Sequence, residues 1–161
     1  MEKYLKDYLL KYNITYKVHE HEAIFTVEQG KNNKDIQKIP GVRTKNLFLK
    51  DNEGKFYLVC LPGEKKLDMK KLKSELNVKN LEFAFPEELK SELNLTPGSV
   101  SIFGMINSKN KSTTLIIDKE VWDAEIIGSH PNINTETLEI KNKDLKKYID
   151  SLNCSKLILA L

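Results

Sequence analysis

Hydrophobic and polar positions along this chain change period several times, and each change marks an element. Between residues 3 and 12, Tyr4, Leu5, Tyr8, Leu9 and Tyr12 recur at helical spacing. Directly afterwards Ile14, Tyr16 and Val18 alternate with Thr15, Lys17 and His19, as on a half-buried strand. The segment Thr26-Val27-Glu28-Gln29 has the form of a capping box, in which two side chains satisfy free amides at a helix start, so a short helix is expected from there to about Gly30. Pro40-Gly41 ends whatever precedes it. Two runs, Asn46 to Lys50 and Phe56 to Leu61, are apolar on both faces and are joined by Asp51-Asn52-Glu53-Gly54, which predicts a hairpin in the middle of a sheet.

Asp68 is placed to cap a helix through Leu76, with Met69, Leu72 and Leu76 inward and Lys70, Lys71 and Lys73 outward. Pro86 suits the first turn of another helix, through Leu93. Thr96 to Gly104 reads as a turn in which two glycines bracket a short alternating segment. Residues 113 to 117 form a buried strand, and Ile126-Ile127 leads into a loop, Gly128 to Asn132, that returns through Thr137 to Ile140. A last helix, Lys143 to Leu152, carries Leu145, Tyr148, Ile149 and Leu152 at core spacing. Hairpins are local and regular strand-helix-strand alternation is missing, so the expectation is one α/β domain, residues 1–161, with a mixed, curled sheet flanked by helices.

Composition adds mainly exclusions. A chain of 161 residues buries roughly two thirds of its unfolded surface and needs no disulfide or metal to fold. A formal charge of +3 permits an RNA partner without demanding one. Cys60 and Cys154 lie far apart and read as reduced thiols of a cytoplasmic protein. The first thirteen residues carry charges throughout, unlike a secretion signal or a membrane span, so no membrane partner is expected. Neither a Gly-x-Ser-x-Gly elbow nor a phosphate-binding glycine motif is present. His19 and His21 share a strand face but lack a third ligand, so neither a metal nor another cofactor is expected. The lysines around Lys65 to Lys73 and Lys141 to Lys147 are solvated helix faces, and RNA contact becomes the better account only if they flank a pocket.

Three segments are harder to explain as packing. Lys45 and Asn46 stand at the mouth of an apolar strand with no carboxylate nearby in sequence, while Gly98-Ser99-Val100 and Gly128-Ser129-His130 each put a glycine before small polar residues at a strand end. Together they would offer a cation, exposed amides and an imidazole to a small anionic or ester-bearing ligand.

The same segments resemble the YbaK/ProX family of aminoacyl-tRNA deacylases, related to the editing domain of bacterial prolyl-tRNA synthetases. The matching stretches are His21 to Glu28, Thr44 to Leu49, Leu81 to Ala84 with Pro86 to Leu89, Leu95 to Ser101 with Phe103-Gly104, and Gly128 to Asn132 with Asn134 and Thr137. They occur in the family's order over roughly residues 14 to 150, and the longer form of the middle segments is similar to the ProX branch, whose free-standing members remove alanine from proline tRNA. The resemblance implies a barrel-like mixed sheet and a cavity for the aminoacylated 3′ end of tRNA. It makes aminoacylated tRNA, tRNA(Pro) in particular, the expected partner, with an association with prolyl-tRNA synthetase. Lys45 corresponds to the lysine on which family activity depends, as a phosphate or ribose clamp or as a base. Gly98 corresponds to the glycine of the pocket loop, and His130 to the histidine bounding the amino-acid pocket. Phe25, Thr26, Asn46, Ser99, Val100, Ser101, Gly128 and Ser129 complete the expected substrate-binding set. Two departures stand out: Ile102 where the family has proline, which bears on the shape of the pocket loop, and Phe85 where the family has a small polar residue. The resemblance also leaves a sister branch that acts on Cys-tRNA. The residues by themselves equally fit a non-catalytic module that binds a charged tRNA end or an accessory RNA-binding domain.

Overall fold

The computed structural model describes residues 1–108 and 112–161. The expected hairpin is its centre. Strand β2 (Val42–Asp51) pairs antiparallel with β3 (Phe56–Pro62), Leu47 opposite Val59. Their side chains divide by parity between two cores, as period 2 requires. Phe48, Leu58 and Cys60 enter the larger core, whereas Leu49, Tyr57, Val59 and Leu61 enter a smaller one.

Around this pair the sheet runs β1 (Tyr16–Glu20), β7 (Glu136–Lys141), β6 (Ile126–Ser129), β2, β3, β5 (Thr114–Asp118), β8 (Lys156–Leu159). Pairing is mixed: β6 with β2, β3 with β5 and β5 with β8 are parallel, the other neighbours antiparallel. Among the described residues β1 and β8 have one strand neighbour each, so the curled sheet does not close into a barrel. One edge of β2 is shared. Val42 and Arg43 pair there with β6, and Leu49 to Asp51 pair with the short β4 (Leu81–Phe83). Between the two, the stretch around Lys45 and Asn46 has no strand partner on that side among the described residues, which leaves the sheet split beside the expected site.

Helix α1 (Lys3–Lys11) and α7 (Asn142–Ser151) cover the larger core with Leu5, Leu9, Leu145, Tyr148 and Ile149. The Tyr148 hydroxyl donates to the Ile102 carbonyl at 2.8 Å, satisfying the only polar atom of a fully buried ring. Leu72 of α4 (Met69–Glu75) seals the smaller core, and Asp68 accepts from the Lys71 amide as its cap. Each such fully buried leucine or isoleucine stabilises the fold by roughly 1.5–3 kcal/mol. The remaining helices are short: α2 (Val27–Asn32), α3 (Lys34–Gln37), α5 (Pro86–Leu93) and α6 (Lys119–Asp123).

Several expectations shift. On α1 only Leu5 and Leu9 are buried, because the helix covers the sheet along a narrow stripe and leaves Tyr4 and Tyr12 outside. Val18, on edge strand β1, is exposed. The expected alternating segment between Gly98 and Gly104 gives way at Ile102 to a 3-10 turn, Ile102–Asn107, capped by Ser101. Gly128 and Ser129 belong to β6 rather than to a loop. Both cysteines are free, and burial pushes the Cys60 thiol up to about 12, which leaves it inert at neutral pH.

Candidate active site

At the split beside β2 lies a cavity of about 470 Å³, a volume that suits a ligand of small-molecule size. Residues 41 to 46 line it along β2, and Gly98, Val100, Gly128 and His130 line it as well. The rim carries Phe25 and Thr26, held in place by the capping box: the Gln29 amide donates to Thr26 Oγ1 at 3.1 Å and the Thr26 amide to Gln29 Oε1 at 3.2 Å. Phe25 is 67% exposed, so it stands at the mouth and not as an inner wall. No residue of α2 is buried, and across the mouth Lys31 pairs with Glu64 at 3.4 Å.

The two glycine segments interleave. Gly98 and Val100 line the cavity while Ser99 and Ser101 do not, and Gly128 and His130 line it while Ser129 does not. The second segment lies on β6, whose extended backbone sends alternate side chains to opposite sides, and the first bends at Gly98; together they remove three of the expected contacts. Ser101 instead joins the two segments: its hydroxyl donates to the His130 carbonyl at 2.5 Å and accepts from the Phe103 amide at 3.1 Å. Gly128 differs from its expected role as well. It sits in a central strand, opposite Arg43 on one side and Glu139 on the other, so its amide is part of a ladder rather than a free donor. Its lack of a side chain matters for space, since a Cβ would lie 3.4 Å from Thr137 Cγ2 and 3.5 Å from Ile39 Cγ2. Gly98, at φ +87°, keeps the role of a bend.

Lys45 is half-buried, and among the described residues its ammonium makes no ion pair or hydrogen bond. Burial lowers its pKa from the ordinary lysine value. Asn46 is only 7% exposed, and both Nδ2 and Oδ1 are buried without a partner. The same holds for His130 Nδ1 and Arg43 Nη1, both on cavity-lining residues. A buried polar atom left unpaired costs about 1–3 kcal/mol, so such atoms gathered at one cavity mark a site shaped for a ligand.

His130 is pushed down to about 4 by burial and then by its neighbour His21, so it is neutral at pH 7. His21 lines the same cavity: its Nδ1 faces the Glu22 carbonyl at 2.8 Å, which can only accept, and its Nε2 meets the Thr137 hydroxyl at 2.9 Å. His19 turns away to Glu139, at 2.9 Å. Among the described residues no three His, Cys, Asp or Glu side chains are grouped to hold a metal ion. Because the neutral form of His130 is the folded form, its stability contribution has a definite sign. The penalty for protonation is absent above the ordinary value of 6.5 and grows as pH falls toward 4. Urea unfolding at pH 7 and pH 4.5 should show wild type losing roughly 2 kcal/mol more than His130→Gln over that interval. Equal losses would show that His130 is freely solvated.

The sequence pointed to Lys45, Asn46, Gly98, Val100, Gly128 and His130, and all six meet here, with Phe25 and Thr26 at the rim. It passed over Arg43, although that residue stands two positions before Lys45 at strand spacing, and it weighed His21 only as a metal ligand lacking partners. Of the lysine clusters, the first adjoins the cavity through Pro62, Gly63 and Glu64, with Lys66 and Lys70 exposed beyond them. The second, on α7, contributes no lining residue. Ile102 is fully buried in the larger core and is not part of the lining, so this departure from proline acts on packing. Phe85 precedes α5 and carries the Lys50 ammonium 3.9 Å above its ring.

Fold and cavity define an α/β protein with a split mixed sheet and a cation-bearing pocket that combines unpaired buried polar groups with a neutral imidazole. The aminoacyl-tRNA editing domain matches residues 21–148. Prolyl-tRNA editing protein ProX of Acetoanaerobium sticklandii is 33% identical over 137 residues, covering 84% of this chain and 82% of that protein. Prolyl-tRNA synthetase associated domain-containing protein 1 of Danio rerio is 30% identical over 162 residues, covering 99% and 87%. A solved structure described as a candidate trans-editing enzyme for prolyl-tRNA synthetase shares the fold, with a TM-score of 0.73 at 16% identity over 99% of this chain and 98% of that one. The chain belongs to the aminoacyl-tRNA editing domain family and is a hydrolase of that family. Among the described residues no helix is long and apolar enough to cross a membrane.

Proposed function

We propose that the protein is a trans-acting deacylase that hydrolyses the ester of alanine mischarged on tRNA(Pro). The observation that carries this reading is the convergence of Lys45 with the unpartnered polar atoms of Asn46 and His130 in one cavity. An aminoacyl ester is already reactive, so orientation and charge stabilisation suffice without a strong nucleophile. Lys45, charged, holds the terminal phosphate or ribose. Water attacks the ester carbonyl carbon, and the negative charge on the former carbonyl oxygen is met by Asn46 Nδ2 and the backbone at Gly98. Because the Gly128 amide lies in a ladder, Asn46 takes over the donor role that the second glycine segment was expected to play. Collapse of the intermediate releases the ribose 3′-oxygen, which takes up the proton lost by water, and the neighbouring hydroxyl assists the transfer. The products are free amino acid and uncharged tRNA.

His130, neutral at pH 7, tolerates the substrate's α-ammonium where an imidazolium would repel it, and its Nδ1 is available as an acceptor. Its ring bounds the space for the side chain, so alanine enters and the larger proline is refused, the second sieve of an editing pair. Lys66 and Lys70 beside the rim supply charge for the acceptor stem. The relatives' names point to work beside prolyl-tRNA synthetase.

The test is a side-by-side deacylation of Ala-, Cys- and Pro-tRNA(Pro). Ala-tRNA(Pro) should be cleared about ten- to a hundredfold faster than Pro-tRNA(Pro), the range that pocket size alone provides. Equal rates for alanine and proline would overturn the size account. Faster cysteine release would move the protein to the sister specificity, and tight binding without turnover would make it a sensor.

A further inference from the structure

We infer that Arg43 is a second anion contact, which together with Lys45 grips the phosphate on the 5′ side of the terminal adenosine. This rests on the aminoacyl-ester reading and goes beyond it by dividing the cavity into a phosphate end and an ester end. Arg43 and Lys45 are two residues apart on β2, the spacing that puts both on one face of a strand, and both line the cavity. Among the described residues neither takes part in an ion pair, and Arg43 Nη1 is buried without a hydrogen-bond partner.

The guanidinium stem is held by the sheet rather than by a loop. The Arg43 carbonyl accepts from the Gly63 amide at 2.8 Å, and its Cγ lies 3.6 Å from where a Cβ on Gly128 would be. The carboxylates lining the cavity pair with other lysines: Glu64 with Lys31 at 3.4 Å across the mouth and Glu120 with Lys65 at 3.8 Å. Two cations on one strand are therefore left for the ligand. The ester group is neutral and the α-ammonium is positive, so the nearest anion on an aminoacylated 3′ end is the phosphodiester. A guanidinium meets two phosphate oxygens through parallel N–H groups, which fixes orientation as well as charge.

The test uses 3′-alanyl-adenosine with and without a 5′-phosphate, and reads the ratio of kcat/KM between them for each protein. A ratio taken within one variant cancels any general loss from weakened folding. Wild type should favour the phosphorylated substrate about tenfold or more, mainly through KM; Arg43→Gln should bring the ratio near one, and Arg43→Lys should restore part of it. A wild-type ratio near one, or an unchanged ratio in Arg43→Gln, overturns the inference. If Arg43→Gln does not fold, the Arg43→Lys ratio decides, since an unchanged value there also overturns it. Wild type inactive on both substrates, and on Ala-tRNA(Pro), would instead bring down the ester-hydrolysis reading itself.

Discussion

Lys45→Ala should lower kcat/KM for Ala-tRNA(Pro) by about a hundred- to a thousandfold, the loss typical when one preorganised charge contact is removed from an active site. The same change should leave the protein at least as stable as wild type. Burial lowers the folded-state pKa of Lys45 below the ordinary 10.5, so at neutral pH the native state carries a penalty for keeping this ammonium. That penalty is fully present below the folded pKa and fades as pH rises toward the unfolded value. Alanine removes it, and loss of activity without loss of stability is the signature of a group kept for function. Lys45→Arg separates the two roles. A guanidinium retains charge but cannot act as a base, so substantial activity in this variant establishes the clamp. The pH profile gives an independent reading: with a clamp, kcat/KM falls as the ammonium loses its proton, whereas with a base it rises through the same pKa. An alanine variant with wild-type kcat/KM would remove Lys45 from the mechanism.

What was legible in the sequence followed from local chemistry. The central hairpin was announced by two runs apolar on both faces, and each face found its own core. The capping box at Thr26 and the Asp68 cap are interactions within four residues, and both formed as expected. Elements that depend on distant partners were not legible. Strand β4 has three residues and exists because β2 offers it an unpaired edge, and β8 exists because β5 does. The site shows the same division. Lys45 was conspicuous as a cation at an apolar strand mouth, but whether Ser99 or Val100 faces the ligand depends on the bend at Gly98 and on how Ser101 ties the segment to His130. Gly128 looked like a loop glycine because a strand ending in Gly-Ser-His resembles a turn. Its role as a spacer between Thr137 and Ile39 needs the assembled sheet.

Gly41 gives the sharpest test of that assembled sheet, since it is the residue from which β2 departs along β6. At φ +83° it occupies the left-handed region, and a Cβ there would lie 2.0 Å from the Ile126 carbonyl oxygen and 2.6 Å from its carbon. Both are backbone atoms of the neighbouring strand and cannot swing aside as a side chain would. Gly54, in the turn between β2 and β3, has nearly the same φ, +81°, with nothing within 4 Å. Gly54→Ala should therefore cost about 1–2 kcal/mol, the price of the left-handed conformation alone. Gly41→Ala carries that cost and an overpacking term of roughly 1–3 kcal/mol, for a total of about 2–5 kcal/mol. Urea unfolding of both variants isolates the second term, and equal destabilisation would mean that β2 and β6 can separate freely at this point. They should not, because Val42 and Arg43 are the only residues of β2 that pair with β6 among those described, and the next turn of the strand carries Lys45. Forcing the two apart at Gly41 would move the cation relative to Gly98 and His130, so the surviving folded fraction of Gly41→Ala should lose activity per folded molecule, whereas Gly54→Ala should retain it.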